Sequence, residues 1–315
     1  MIELKHVTKR YGATTAVSDL SFRAPEGQIV GLLGQNGAGK TTTLNMLTGY
    51  FPPNEGQVLV NGMDMLLKPR ECKRCIGYLP EKPPLYDEMT VEAYLRFVCE
   101  LREVERKAIP GHVKEIMATC GLGEVSRRLV GHLSKGFRQR VGVAQALCGN
   151  PPVIVLDEPT VGLDPRQVVE IRQLIRQLGE KHTVIFSSHL LSEIQQLCQR
   201  VIILHKGRLI READMAELTE NSGTLRLRAS IAMDEKQLVP ALKGLECVGR
   251  VKVLPSAEAG VTEVELECHP GGDRGDPQTQ LFRLLCALDA PLRMLTPQRD
   301  TLEEVFLRAT ADNQA

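Results

Sequence analysis

Val30-Gly31-Leu32-Leu33-Gly34-Gln35-Asn36-Gly37-Ala38-Gly39-Lys40-Thr41-Thr42 decides how the fold of this chain is read. The apolar run Gln28–Leu33 ends in the pattern G-x-x-x-x-G-K-[ST], and Thr42–Leu47 follows as a helix. Glycines at these positions let backbone N–H groups curl around phosphate oxygens, and a helix N-terminus adds positive partial charge. Lys40 would then reach the β- and γ-phosphates, and the Thr41 hydroxyl would ligate Mg²⁺. Strand, loop, cation and hydroxyl in this order predict a nucleoside-triphosphate site of the P-loop kind in an α/β fold.

Outward from the loop, Val153–Leu156 and Thr183–Phe186 are short β-branched runs, apolar on both faces, as parallel strands buried on both sides require. Between them Val168, Ile171, Leu174, Ile175 and Leu178 recur at helical spacing with polar residues opposite. Strand, helix, strand in that order makes a right-handed βαβ unit. Asp157 and Glu158 close the first of these strands, at the carboxyl end where open α/β sheets collect ligands. There Asp157 is a candidate Mg²⁺ ligand, and Glu158 a candidate base for an attacking water. Arg200–Ile210 reads as a hairpin turning at Lys206-Gly207.

Composition narrows the alternatives. An apolar share of 43% and a charged share of 25% over 315 residues suit two globular domains. A formal net charge of zero argues against strong electrostatic attachment of the chain as a whole to DNA or anionic lipid, and the absence of Trp argues against stacking on single-stranded nucleic acid. No stretch approaches the ~20 apolar residues of a membrane span, so the expected location is cytoplasmic. Nine scattered cysteines fit reduced thiols, and the CxxC pair Cys72 and Cys75 has no second pair at zinc-ribbon spacing.

What separates this chain from other P-loop proteins is Leu133-Ser134-Lys135-Gly136-Phe137-Arg138-Gln139-Arg140, shortly before Asp157. Here the chain resembles the ABC-type ATPases, whose signature is usually LSGGQ. Ser134 and Gly136 match, while Lys135 and Phe137 replace a Gly and the Gln. Val161-Gly162-Leu163-Asp164-Pro165 is similar to the family's D-loop, His189 to its switch histidine, and Tyr11 to the aromatic that stacks on adenine. The resemblance implies a RecA-like core with an antiparallel β subdomain and a helical subdomain. It implies ATP held by Tyr11, Val17, Gly34, Asn36, Gly37, Ala38, Gly39, Lys40, Thr41 and Thr42. A second copy would contribute Ser134, Gly136 and Asp164 to that ATP in a homodimeric sandwich. Catalysis would fall to Glu158, His189 and Lys40, and Mg²⁺ to Thr41, Asp157 and Glu81. Glu81 stands where the family usually has Gln, which makes the site one charge more negative.

The resemblance covers residues 1–218 and implies a separate integral membrane permease as partner, docked around Pro83–Leu101 at the cytoplasmic face of the membrane. Texture changes near Asn221-Ser222-Gly223. From residue 223 to 315, Thr224–Ile231, Glu235–Leu242, Val248–Leu254, Val261–Cys268, Gln278–Leu288 and Leu292–Leu295 read as β-α-β-β-α-β, a small ferredoxin-like α+β domain. A loop at Pro270–Pro277 and a closing helix at Leu302–Ala309 complete it. The tail Pro297–Leu307 resembles ATPase subunits of ABC-2-type exporters, so export is the expected direction. The alternative, a non-transport ABC ATPase serving nucleic acid or ribosomes, usually brings a coiled-coil insertion, zinc-binding cysteine sets or a second cassette, and none is present.

Overall fold

The computed structural model describes residues 1–216, 225–256, 258, 260–269 and 276–298. The chain forms two compact units, the second beginning at Ala216. The expected helix at Leu302–Ala309, the change of texture at Asn221–Gly223, most of the loop at Pro270–Pro277 and most of the exporter-like tail lie outside the described residues.

The first unit opens with β1 (Ile2–Tyr11) and β2 (Thr14–Ala24), a hairpin turned by Gly12 at φ +58°. β1 pairs on its other side with β4 (Glu55–Val60), which pairs with the short β5 (Met63–Asp64), giving the antiparallel order β2-β1-β4-β5. β3 (Ile29–Leu33) leads into α1 (Lys40–Leu47). The helix thus starts at Lys40, two residues before its expected start, so both Lys40 and Thr41 sit in its first turn. Leu44, Met46 and Leu47 of α1 pack with Leu4, Val17, Val58 and Val60 of the antiparallel sheet and with Val30, Val155 and Ile185 of a second sheet. That apolar cluster fixes the phosphate-loop helix between the two sheets.

The second sheet takes β3 together with strands that follow α2 (Pro69–Arg74) and has the order β10-β9-β3-β8-β7-β6. Its members are β6 (Ile76–Leu79), β7 (Val153–Leu156), β8 (Thr183–Ser188), β9 (Arg200–His205) and β10 (Arg208–Asp214), all parallel but for the β9–β10 hairpin. β3, β7 and β8 are buried at every residue, as their unbroken apolar runs require. α6 (Pro165–Gly179) is the crossover between β7 and β8 and starts under an Asp164 cap, whose Oδ1 accepts from the Gln167 N–H at 2.9 Å. α7 (Leu191–Leu197) lies against β3, where a Cβ on Gly31 would come within 2.5 Å of Ile194.

Between β6 and β7 run α3 (Val91–Leu101), α4 (Ile109–Thr119) and α5 (Lys135–Leu147), the helical part of the unit. α5 packs on β6 so closely that a Cβ on Gly77 would meet the Ala146 carbonyl oxygen at 1.9 Å.

The second unit carries β11 (Leu225–Ile231), α8 (Glu235–Lys243), β12 (Val248–Leu254), β13 (Thr262–Cys268), α9 (Pro277–Ala287) and β14 (Leu292–Gln298). The sheet order is β12-β13-β11-β14, all antiparallel. Alternate residues Leu227, Ala229 and Ile231 meet Val264, Leu266 and the helix residues Leu238, Leu242, Leu281 and Leu285 in a core of their own. This is the β-α-β-β-α-β order expected from the sequence. Pro277, expected to end a loop, is the first residue of α9 behind an Asp276 cap.

Candidate functional site

The loop between β3 and α1 walls a cavity of about 560 Å³. Asn36 to Thr42 form one side, and Glu81, Glu158, Val161 and His189 face them. Gly37 (φ +79°) and Gly39 (φ +99°) hold left-handed backbone that side chains resist, and the loop folds back on itself, the Ala38 N–H donating to the Gln35 carbonyl at 3.0 Å. Gly39 also has no room: a Cβ there would lie 2.8 Å from the Ala16 carbonyl oxygen.

Lys40, although charged, is almost fully buried. Its Nζ donates to the Gly34 carbonyl at 2.8 Å and lies 3.1 Å from Glu158 Oε1. The other carboxylate oxygen, Oε2, is 2.8 Å from His189 Nδ1. Glu158 therefore joins the loop cation to the histidine at the end of β8. Its backbone is left-handed, at φ +48°, a cost to a non-glycine residue that persists only where surroundings impose it. The Ser187 hydroxyl accepts from the Glu158 N–H at 2.8 Å and donates to Asp157 Oδ1 at 2.6 Å, so one serine fixes both acids.

Asp157 is fully buried, and its Oδ2 has no hydrogen-bond partner. Burial pushes the Asp157 carboxyl above the usual carboxylate range, and the nearby Glu158 and Glu81 charges push the same way. The Ser187 and Thr41 hydroxyls oppose them. Together with the Thr41 hydroxyl, which lines the hollow beside it along with Glu81, Asp157 makes a set of hard oxygen donors of the kind Mg²⁺ takes. The orphaned Oδ2 is where such a cation would satisfy a buried acceptor, so these residues fit the ion.

The remaining expected residues are placed as follows. Val17 is buried beneath Gly39. Tyr11 is half-exposed at the end of β1, edge-on to Phe51 at 5.8 Å. Ser134 caps α5, its hydroxyl accepting from the Phe137 N–H at 3.4 Å. Gly136 is buried, where a Cβ would meet the Gln167 side chain at 2.6 Å. Lys135 brings its ammonium against Gly162, which has left-handed backbone. None of Tyr11, Val17, Ser134, Gly136 or Asp164 lines the cavity around Lys40 within a single chain. Ser187 went unread in the sequence, since a serine ending an apolar strand carries no signal of its own. Cys72 and Cys75 fall at the end of α2, and no cluster of metal-binding side chains occurs among the described residues.

A second hollow, about 820 Å³, opens on the other side of Glu81 and is lined by Tyr50, Lys73, Tyr78, Lys82, Val98 and Arg102, among others. Glu81 and Thr41 belong to both spaces.

Comparison with known proteins agrees with this geometry. Residues 17–161 match the family model described as ABC transporter. The chain is 37% identical over 227 residues to the ABC transporter ATP-binding protein NatA of Bacillus subtilis (strain 168), spanning 70% of this chain and 92% of that protein. It is also 37% identical over 224 residues to the bacitracin transport ATP-binding protein BcrA of Bacillus licheniformis, 70% of this chain and 72% of that one. Among solved structures, the dimeric post-hydrolysis state of the ATP-binding cassette MJ0796 bound to ADP and Pi superposes with a TM-score of 0.63 at 26% identity, over 68% of this chain and 99% of that one.

Proposed function

The chain belongs to the ATP-binding proteins of ABC transporters and is an ATPase, and from that premise we propose that it energises export through a separate membrane permease. In this reading two copies close on two ATP molecules, each held by the phosphate loop of one copy and by Ser134, Gly136 and Asp164 of the other. The exposed Ser134 and Asp164, each at a helix N-terminus and outside the cavity of their own chain, support a role toward a second copy. Export rests on the likeness to the bacitracin transport protein and on the exporter-like tail.

The observation that carries the mechanism is the bridge from Lys40 through Glu158 to His189 at the cavity wall. Nucleotide phosphates would draw Lys40 from Glu158, freeing the carboxylate to accept a proton from the attacking water. His189 would orient Glu158 and contact the γ-phosphate, while the N–H groups at the start of α1, Lys40 and Thr41, would meet the charge that develops on the leaving phosphates. Thr41, Asp157 and Glu81 would hold Mg²⁺, which when bound neutralises phosphate charge. Tyr11 offers its exposed ring to adenine.

The 820 Å³ hollow beside Glu81 is the proposed seat of a cytoplasmic segment of the permease, because Glu81 connects it to the nucleotide cavity. No helix among the described residues is long and apolar enough to cross a membrane, in keeping with a peripheral position. One experiment tests the core of the reading: size-exclusion chromatography of Glu158→Gln with ATP and Mg²⁺. A shift to dimer is expected; a strict monomer, also in the presence of the permease, overturns the sandwich.

A further inference from the structure

We infer that the turn and helix at Leu66–Arg74 form a direct contact with an anionic lipid surface. The inference goes beyond the ATP-driven reading, since it requires no nucleotide and no permease, and either can fail while the other stands.

Leu66 and Leu67 are 69% and 78% exposed, side by side on the turn between β5 and α2. No other leucine among the described residues is more exposed than either. Water-facing aliphatic pairs of this kind mark a partner when a polar rim surrounds them. Their rim is cationic. Lys68, Arg70, Lys73 and Arg74 follow within seven residues, all exposed, with Glu71 the one acid among them, in a chain whose formal charge sums to zero.

The guanidinium groups of this rim already converge on an anion. Arg70 and Arg74 both pair with the Glu103 carboxylate, on the wall of a hollow of about 380 Å³ that Leu101 and Arg102 also line. A lipid phosphate would have to displace Glu103 from these two guanidinium groups, and Lys68 and Lys73 carry the rest of the rim's positive charge.

The arrangement selects the class of partner. An acidic protein segment would need an apolar pocket of its own to receive two protruding leucines. A bilayer with acidic lipids is layered as this surface is, anionic at the headgroups and apolar beneath, so the leucines can enter below the plane the cations touch. Lys73 and Arg102 line both this hollow and the larger one assigned above to the permease segment, so a lipid contact here would adjoin that interface.

Flotation of the full-length protein with vesicles tests the inference. Vesicles of phosphatidylcholine alone are compared with vesicles carrying roughly a third phosphatidylglycerol, at low and high salt. Binding to the anionic vesicles only, weakened by salt, is expected. A juxtamembrane basic residue contributes about fivefold in partitioning, so Lys68→Gln combined with Arg70→Gln should lower it roughly 25-fold. Leu66→Ser with Leu67→Ser should lower it as well with every charge in place. The inference is overturned by equal binding to both vesicles, by no binding to either, by double variants that float like the wild type, or by retention that requires permease in the membrane.

Discussion

The carboxylate of Glu158 lies 3.1 Å from the ammonium of Lys40, and both side chains are buried. The acid best placed to activate water is thus paired with the cation best placed to hold phosphate, and nucleotide must compete for that cation. Glu158→Gln keeps the shape and removes the competing charge. Phosphate release should fall by about 10²–10⁴-fold, the usual contribution of a positioned base, while affinity for nucleotide should hold or rise. Steady-state hydrolysis and titration of a fluorescent ATP analogue read the two effects separately; an unchanged rate would remove Glu158 from the chemistry.

Magnesium should govern binding as well as turnover. Glu81, Asp157 and Glu158 all lie beside Thr41 or within the same cavity wall, so ATP without a divalent cation meets three carboxylates and one lysine. Chelation of Mg²⁺ should therefore weaken binding of the fluorescent analogue markedly. Glu81→Gln removes one carboxylate, and the ratio of affinities with and without Mg²⁺ should shrink several-fold. An identical ratio in the two proteins would place Glu81 outside the metal's field.

Packing of α5 on β6 predicts a stability change of known sign. Gly77→Ala would set a methyl 1.9 Å from the Ala146 carbonyl oxygen; forcing strand and helix apart should cost about 1–3 kcal/mol. Gly111→Ala makes the control: Gly111 lies in α4 with open space around it, where replacing a helical glycine gains roughly 0.5–1 kcal/mol. Chemical denaturation of the two variants should show midpoints moving in opposite directions.

These residues also show why some of the molecule was legible in the sequence and some was not. Strands buried on both faces announce themselves by composition alone, and Val153–Leu156 appears in the structure with the bounds read from the sequence. The Lys206-Gly207 turn and β13 were nearly as plain, because local backbone demands fix the one and a strict alternation of buried and half-buried residues fixes the other. β4 and the order β2-β1-β4-β5 had no such signal of their own, and the family resemblance implied only that an antiparallel β subdomain exists, since pairing between distant segments is not written in either one. The site divides the same way. Lys40, Thr41, Asp157 and Glu158 follow from a loop pattern and a strand end. The left-handed backbone of Glu158 and the Ser187 hydroxyl that fixes both acids arise when β7 and β8 come side by side, which no local reading contains.

The two units bury separate cores, one joining the sheets around α1 and the other joining α8 and α9 to β11 and β13. Cores without shared residues predict independent folding. All residues proposed to hold ATP precede Met215, so a protein ending at Ala216 should bind the fluorescent ATP analogue within about threefold of the full chain, because it keeps the loop, both acids and His189. A change of that size is under 1 kcal/mol, within ordinary error for a site whose contacts are intact. The fragment that starts at Ala216 should in turn give a single cooperative thermal transition by circular dichroism, since Leu227, Leu238, Val264 and Leu281 close its core from both sides of the sequence. Loss of nucleotide binding in the first fragment would mean that the ATPase unit does not keep its fold by itself. A second fragment without a transition would mean that its sheet depends on the ATPase unit to fold.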